Sequence, residues 1–133
     1  MERSTGRSLA DRFRPFDPVV ELAIGRQPAV ARRLAETNAV TATDRVDRPV
    51  PAGVEFLRDD LTAPSLGRYA HAEALYALNL PPELHRPALE LAEAIEAPLA
   101  FTTLGHEAPI VPIETRERLP RGTLFWARAD DPS

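Results

Sequence analysis

The sequence contains no cysteine and no lysine, and none of its apolar runs is long. Without cysteine the protein has no disulfide bond, no thiolate nucleophile and no cysteine-based metal site, a composition that agrees with a cytoplasmic location. All 16 basic residues are therefore arginine, as expected for a GC-rich genome or for adaptation to high salt. No apolar run approaches the ~20 residues that would span a bilayer, and the N-terminus lacks the apolar stretch of a signal peptide. These absences predict a soluble, cytoplasmic protein without membrane segments.

The charge and motif content argue against several functions. The formal net charge is −4, the arginines are scattered, and only Arg32 and Arg33 are adjacent. Because a phosphate backbone is bound by a clustered basic surface, we do not expect a nucleic acid as partner. The three histidines show no metal-ligand spacing, and neither a Walker-type phosphate loop nor a Gly-x-Ser-x-Gly motif occurs. The sequence therefore predicts no metal site, and it identifies no catalytic residue.

The order of apolar runs and helical patterns predicts an α/β fold. A length of 133 residues suits one domain, which we place at residues 8–128, between a flexible arm (1–7) and a polar tail (129–133). The predicted strands are residues 19–24, 39–43, 54–57, 74–78, 98–104 and 123–127, and the predicted helices are residues 9–14, 29–36 and 83–97. Such alternation is typical of parallel βαβ units. We expect a single doubly wound, mostly parallel, Rossmann-like sheet of about six strands with helices on both faces.

Three residues define the expected helix ends. Ser8 precedes the first helix and has the side chain of an N-terminal cap. Asn38 follows the second helix and suits a C-terminal cap. Pro87 lies inside the last helical pattern, so we expect the continuous helix to start there or to kink.

Polar or glycine residues close every predicted strand, and their spacing indicates a nucleoside site. In open α/β sheets the ligand lies outside the carboxyl ends of the strands. Gly25 follows the first strand, and Asp44 stands 19 residues later at the end of the second. An acid about 20 residues beyond a glycine turn can accept hydrogen bonds from both ribose hydroxyls. Together with Asp60 after the third strand, this spacing predicts a small nucleoside-containing ligand.

Several segments resemble known motifs. VVELAIG, TATD and VEFLRDD resemble the first three motifs of Rossmann-like methyltransferases that use S-adenosylmethionine. More closely, VELAIGR, TATD, YALNLPPEL and FTTLG resemble a small archaeal family of uncharacterised proteins with a shortened form of that fold, over almost all of residues 9–128. The methyltransferase resemblance implies S-adenosylmethionine as the cofactor, with Glu21 and Gly25 at its methionine part. It also implies Asp44 at the ribose and Asp60 at the adenine amino group.

Glu21 has further interpretations because it lies inside an apolar strand. A carboxylate buried without a partner is costly, so some group must satisfy it. Besides the amino group of a bound methionine moiety, the partner could be Arg26 or another arginine, or the position could be a partly exposed edge.

Four residues mark the side on which a substrate would bind. Asn79, Pro81 and Pro82 resemble the Asn-Pro-Pro-aromatic motif of amino-methylating enzymes, although one residue interrupts the motif and the aromatic is missing. The proline pair could equally serve only to open a helix by fixing φ. His106, after the fifth strand, is open to two interpretations, a solvated loop residue or a general base.

The sequence leaves three functions open. The first is a methyltransferase-like domain that binds S-adenosylmethionine, with in-line methyl transfer as the reaction if it catalyses one. The second is an NAD-type dinucleotide-binding domain, because Asp44 would serve its ribose equally well. The third is a non-catalytic interaction or regulatory domain that has lost the cofactor turn, because Ala23 and Gln27 replace two of its glycines. An exposed sheet edge could support a homodimer, and no residue identifies another partner.

Overall fold

The computed structural model describes residues 4–128, so the predicted tail (129–133) and residues 1–3 lie outside the described part. The elements in chain order are α1 (Thr5–Phe13), β1 (Val19–Leu22), α2 (Ala29–Leu34), β2 (Val40–Asp44), β3 (Val54–Arg58), a short 3₁₀ helix (Leu66–Arg68), β4 (Ala74–Leu80), α3 (Pro82–Ile95), β5 (Leu99–Thr103), β6 (Ile113–Arg118) and β7 (Thr123–Ala127). No helix within residues 4–128 is long and apolar enough to cross a membrane.

The strands form one mixed sheet in the order β3-β2-β1-β4-β5-β7-β6. Strands β1 to β5 are mutually parallel, and β7 runs antiparallel to both of its neighbours. The predicted α/β class and mostly parallel sheet are confirmed, with seven strands instead of six. The strand order reverses between β1 and β4, which is where an open sheet of this kind forms a crevice.

Helices cover both faces of the sheet, as predicted. On one face α1 and α2 pack through residues such as Phe13 and Leu34. On the other face α3 packs through residues such as Leu91. Alternate residues of a strand point to opposite faces, so Val19 belongs to the first core and Val20 to the second. A strand that is covered on both faces is a nearly continuous apolar run, and this is why β1 could be located from the sequence.

Strand β6 was missed because its sequence, IETRER, has no apolar run. It lies at the edge of the sheet and pairs only with β7, so most of its side chains face solvent. A polar edge strand depends on its neighbour for its position, and the pattern of its own residues does not distinguish it from a loop.

The helix ends differ from the prediction in three places. The hydroxyl of Ser4 accepts the Arg7 N–H, so α1 starts after Ser4 and not after Ser8. Asn38 does not cap α2; its buried amide donates to the Phe16 carbonyl oxygen at 2.6 Å, which fixes the loop before β1. Helix α3 continues through Pro87. The proline removes one backbone hydrogen bond near the helix start, and packing of the apolar face retains the helix. The predicted domain boundaries themselves stay a prediction.

Candidate functional site

The carboxyl ends of β1 and β4 contain three residues with positive φ. The values are 52° at Ala23, 61° at Gly25 and 51° at Asn79. Glycine adopts this left-handed region freely, whereas an alanine there is strained, since its Cβ approaches the backbone. Such strain concentrates at ligand-binding and active sites, and here it lies at the point where the strand order reverses.

Asp44 and Gly25, which are 19 residues apart, are in direct contact. The Gly25 N–H donates to Asp44 Oδ2 at 2.9 Å, and the Val46 N–H donates to Oδ1 at 3.2 Å. The guanidinium Nε of Arg48 lies 3.5 Å from Oδ2. A carboxylate oxygen has about two lone-pair sites, so each oxygen of Asp44 can accept one further hydrogen bond. These contacts fix the orientation of the Asp44 carboxylate, and both of its oxygens can still accept a hydrogen bond from a ligand.

A cavity of about 450 Å³ opens beside Asp44, and we call it the acidic cavity. Four carboxylates and two arginines line it: Asp44, Asp59, Asp60, Glu83, Arg45 and Arg48. Its volume is in the range that holds a small-molecule ligand. The excess of acids gives it a negative potential, which favours ligands with cationic groups or hydrogen-bond donors.

The two acids after β3 have different partners. Asp59 accepts hydrogen bonds from the Tyr69 hydroxyl at 2.6 Å and the Ser65 N–H at 3.1 Å. Burial together with the Asp59 charge raises the pKa of Tyr69, so this tyrosine stays a donor. Asp60 is exposed, and hydrogen bonds from the backbone N–H and the hydroxyl of Thr62 lower its pKa. Both bonds go to Oδ1, so among residues 4–128 no donor occupies Oδ2 of Asp60.

The acidic cavity also has an apolar part. Ala23, Leu61, Pro81 and Leu84 line it together with the charged residues. Pro81, which was predicted on the substrate side, lines this cavity with the acids, and its role at a substrate stays a prediction. Pro82 opens α3 and lines neither this cavity nor the one described below.

Glu21 is 1% exposed and is not brought to the cavities. The Tyr76 hydroxyl donates to its Oε1 at 2.7 Å, and the Tyr76 ring stacks on Phe13 with centroids 4.3 Å apart. Burial raises the pKa of Glu21 to about 8, which the bond from Tyr76 only partly offsets. The partner of Glu21 is therefore a tyrosine and not an arginine, and the position is buried in a central strand and not at a partly exposed edge. A role for Glu21 at a ligand stays a prediction.

A second cavity, of about 490 Å³, lies at the same end of the sheet, and we call it the Arg121 cavity. Asn79, near the carboxyl end of β4, and His106, after β5, line it. The Asn79 N–H donates to Thr102 Oγ1 at 2.7 Å, and the Asn79 side-chain amide contacts Gln27 at 3.4 Å. Five of the predicted residues thus divide between two cavities: Asp44, Asp60 and Pro81 line the first, and Asn79 and His106 the second. Glu21, Gly25 and Pro82 line neither.

Sequence reasoning missed the arginines of both cavities. Arg45 and Arg48 lie in the loop after β2, and their position relative to Asp44 follows from the course of that loop. Arg121 lies in the turn between β6 and β7, so it could be placed only once β6 was known to be a strand. The signal available for Arg121 was the turn-forming sequence Pro-Arg-Gly, which marks a turn without saying where it lies.

Comparison with known proteins agrees with the resemblances in the sequence. A family model with the description "Uncharacterised protein family (UPF0146)" matches residues 10–130 of this chain. A UPF0146 protein of the archaeon Halobacterium salinarum is 48% identical over 111 residues, which are 83% of this chain and 86% of that protein.

Solved methyltransferase structures share the fold. An RNA methyltransferase from Salinibacter ruber in complex with S-adenosyl-L-homocysteine has a TM-score of 0.61 at 16% identity, with 95% of this chain and 89% of that chain covered. Human N-acetylserotonin methyltransferase in complex with S-adenosylmethionine has a TM-score of 0.64 at 10% identity, with 94% of this chain covered. The chain spans about half of that enzyme, at 52%. These likenesses establish a methyltransferase-like α/β fold.

Proposed function

The chain belongs to the UPF0146 family, and we propose that it binds S-adenosylmethionine in the acidic cavity. The observation that carries this proposal is the pair of acids at the ends of neighbouring strands. Asp44 ends β2 and is fixed by the Gly25 N–H, while Asp60 follows β3, and both line one cavity at the strand-order reversal. That is the position at which open α/β sheets bind nucleosides.

The free acceptor atoms match the donors of the nucleoside. Asp44 has one lone-pair site left on each oxygen, which suits the two hydroxyls of a ribose. Asp60 lines the same cavity, and its Oδ2, which has no donor from residues 4–128, suits the adenine amino group. Leu61 and Leu84 supply apolar surface for the flat face of the base. In this arrangement Ala23 stands where the backbone approaches the ligand.

The charge of the acidic cavity favours S-adenosylmethionine over NAD. The sulfonium and ammonium groups of S-adenosylmethionine are cationic, and four carboxylates against two arginines attract them. The pyrophosphate of NAD is dianionic and normally lies against N–H groups at the start of the helix after β1. Here Pro28 stands at that position and has no N–H to donate, and α2 is only 6 residues long.

Methyl transfer is the reaction that such binding would serve. It requires a nucleophile in line with the sulfonium methyl and depends chiefly on placement. A site without an acid–base pair is therefore compatible with the reaction.

The proposal is tested by ligand-dependent thermal unfolding and calorimetry with S-adenosylmethionine, S-adenosylhomocysteine, NAD and ATP. A ligand at ~100 times its Kd adds about 2.7 kcal/mol to the free energy of unfolding. We expect this gain from the first two ligands and none from NAD or ATP. If none of the four stabilises the protein, the proposal fails and the interaction-domain interpretation takes its place.

Two variants identify the cavity as the site. Asp44→Ala should abolish the stabilisation, and Asp60→Asn should weaken binding about tenfold through loss of a charge-assisted hydrogen bond. Asp60 is exposed, so its variant keeps the fold even if Asp44→Ala is destabilised. Glu55→Gln is the matched control, since Glu55 is exposed on β3 and lines neither cavity. Equal affinity in Asp60→Asn and Glu55→Gln would exclude Asp60 from the site.

A further inference from the structure

The Arg121 cavity has the opposite charge character to the acidic cavity. Among residues 4–128, none of the side chains that line it carries a carboxyl group, although the chain has 20 acidic residues against 16 basic ones. Arg121 and His106 are its basic side chains. Two cavities of similar volume at one end of the sheet therefore offer different chemistry, one acidic and one basic.

The donors of this cavity have few partners within the protein. Within the described chain no carboxylate lies within ion-pair distance of the Arg121 guanidinium, and no hydrogen bond joins the His106 ring to another residue. Thr102 Oγ1 accepts the Asn79 N–H, which leaves its own hydroxyl proton to donate. The side-chain amide of Asn79 has only the 3.4 Å contact with Gln27. An arginine without a carboxylate partner in the described chain, a histidine and two neutral donors thus line one partly open cavity.

Part of the remaining lining is aliphatic and can contact the carbon skeleton of a ligand. Leu9, Val30 and Leu78 contribute aliphatic surface, and α1 closes the cavity from the side of Thr5. The Arg121 N–H donates to Thr5 Oγ1 at 3.0 Å, which ties the β6–β7 turn to the start of α1. The turn that carries the guanidinium is therefore fixed by its backbone, independently of its side chain.

We propose that the Arg121 cavity binds a small organic molecule through an oxyanion group, a phosphate or a carboxylate. A planar guanidinium pairs with either group through two parallel N–H···O bonds, and His106, Asn79 and Thr102 supply further donors. The absence of acids from the described lining removes the repulsion that an anion would meet in the acidic cavity. This site does not depend on which ligand occupies the acidic cavity.

The test is a titration of the ¹⁵N-labelled full chain, without S-adenosylmethionine, with sodium phosphate and separately with sodium acetate at constant ionic strength. We expect saturable shifts of the amide signals of Gly105, His106, Arg121 and Gly122 with at least one of the two anions. The anion that binds more tightly identifies the group, phosphate or carboxylate. Arg121→Gln should weaken the apparent affinity about tenfold or more, the effect of removing a charge-assisted bidentate contact.

Arg118→Gln is the matched control, because Arg118 is exposed on the neighbouring strand and lines neither cavity. We expect it to retain the wild-type affinity. The proposal is overturned if neither anion gives saturable shifts, if both arginine variants weaken binding equally, or if the shifts centre on Thr62 and Leu84 of the acidic cavity. Arg121 is exposed, so we expect Arg121→Gln to keep the fold. The dispersion of the amide signals in the same spectra checks this.

Discussion

Two carboxyl groups of this protein, Glu21 and Asp60, are in opposite environments. Glu21 is enclosed by apolar side chains and one tyrosine hydroxyl, and burial raises its pKa to about 8. Asp60 is exposed, and hydrogen bonds from Thr62 lower its pKa. At neutral pH the first carboxyl is therefore mainly protonated and the second is ionised. Glu21 is therefore part of the buried core, where it binds Tyr76, whereas the ionised Asp60 is available to a ligand.

The raised pKa of Glu21 makes stability depend on pH. The folded chain retains this proton up to about pH 8, whereas the unfolded chain loses it near its ordinary value of 4.5. Between these values the folded state binds more protons, so the free energy of unfolding falls as pH rises. Glu21→Gln removes the titrating group, and we expect it to abolish this decline, which amounts to several kcal/mol at about 1.4 kcal/mol per pKa unit.

Urea unfolding at pH 5, 6.5 and 8 measures the effect. Glu36→Gln is the control, because Glu36 is exposed, and it should keep the wild-type slope. Parallel pH dependences for the wild type and Glu21→Gln would show that Glu21 is ionised in the core.

At the scale of elements, His85 joins three parts of the fold. It is fully buried in α3, and its Nε2 donates to the Leu80 carbonyl oxygen at the end of β4, at 2.9 Å. Its Nδ1 accepts the Ile110 N–H at 3.3 Å, from the loop between β5 and β6. The same loop includes His106 of the Arg121 cavity. The His85 ring thus links the end of β4 to the loop that contains His106.

We expect His85→Leu to destabilise the protein by about 2–4 kcal/mol, because it leaves a buried carbonyl and a backbone N–H without partners. Hydrogen exchange of the Ile110 amide should accelerate relative to the amides of β4. His71→Leu, at an exposed position, is the control. Unchanged exchange at Ile110 would mean that the loop is held by other contacts.

The elements show what could be predicted from the sequence and why. Strands covered on both faces were located from their apolar runs, and Asp44 was placed correctly at the end of β2. Its hydrogen bond with the Gly25 N–H became visible only in the structure. Strand β6 and Arg121 could not be predicted, because their positions depend on pairing with β7 and not on their own residues. The tyrosine partner of Glu21 could not be predicted either, because it lies in β4, 55 residues away in the sequence.

At the scale of the whole molecule, the two edge strands of the sheet influence whether two copies of the chain associate. Strand β3 forms one edge and exposes Glu55 and Arg58, and β6 forms the other and exposes Glu114, Arg116 and Arg118. Charged residues along an edge strand discourage pairing with another copy, because their burial is costly. The edges therefore favour a monomer, although the sequence alone left a homodimer open.

We expect light scattering coupled to size-exclusion chromatography to give the mass of one chain, 14.6 kDa, at micromolar concentrations. Glu114→Val with Arg116→Val removes two edge charges and should increase self-association. A wild-type mass twice that of the chain would show that the edges do not prevent dimerisation.

The bond between Thr5 and the Arg121 N–H has a practical consequence for labelling. Thr5 and Gly6 line the Arg121 cavity, so a fluorophore or peptide attached at Ser4 lies beside that cavity. A histidine-rich purification tag there would itself bind anions and so compete with the cavity for them in a titration. Strand β7 runs antiparallel to β5, so Ala127 lies at the far end of the sheet, and labels joined after it keep both cavities accessible.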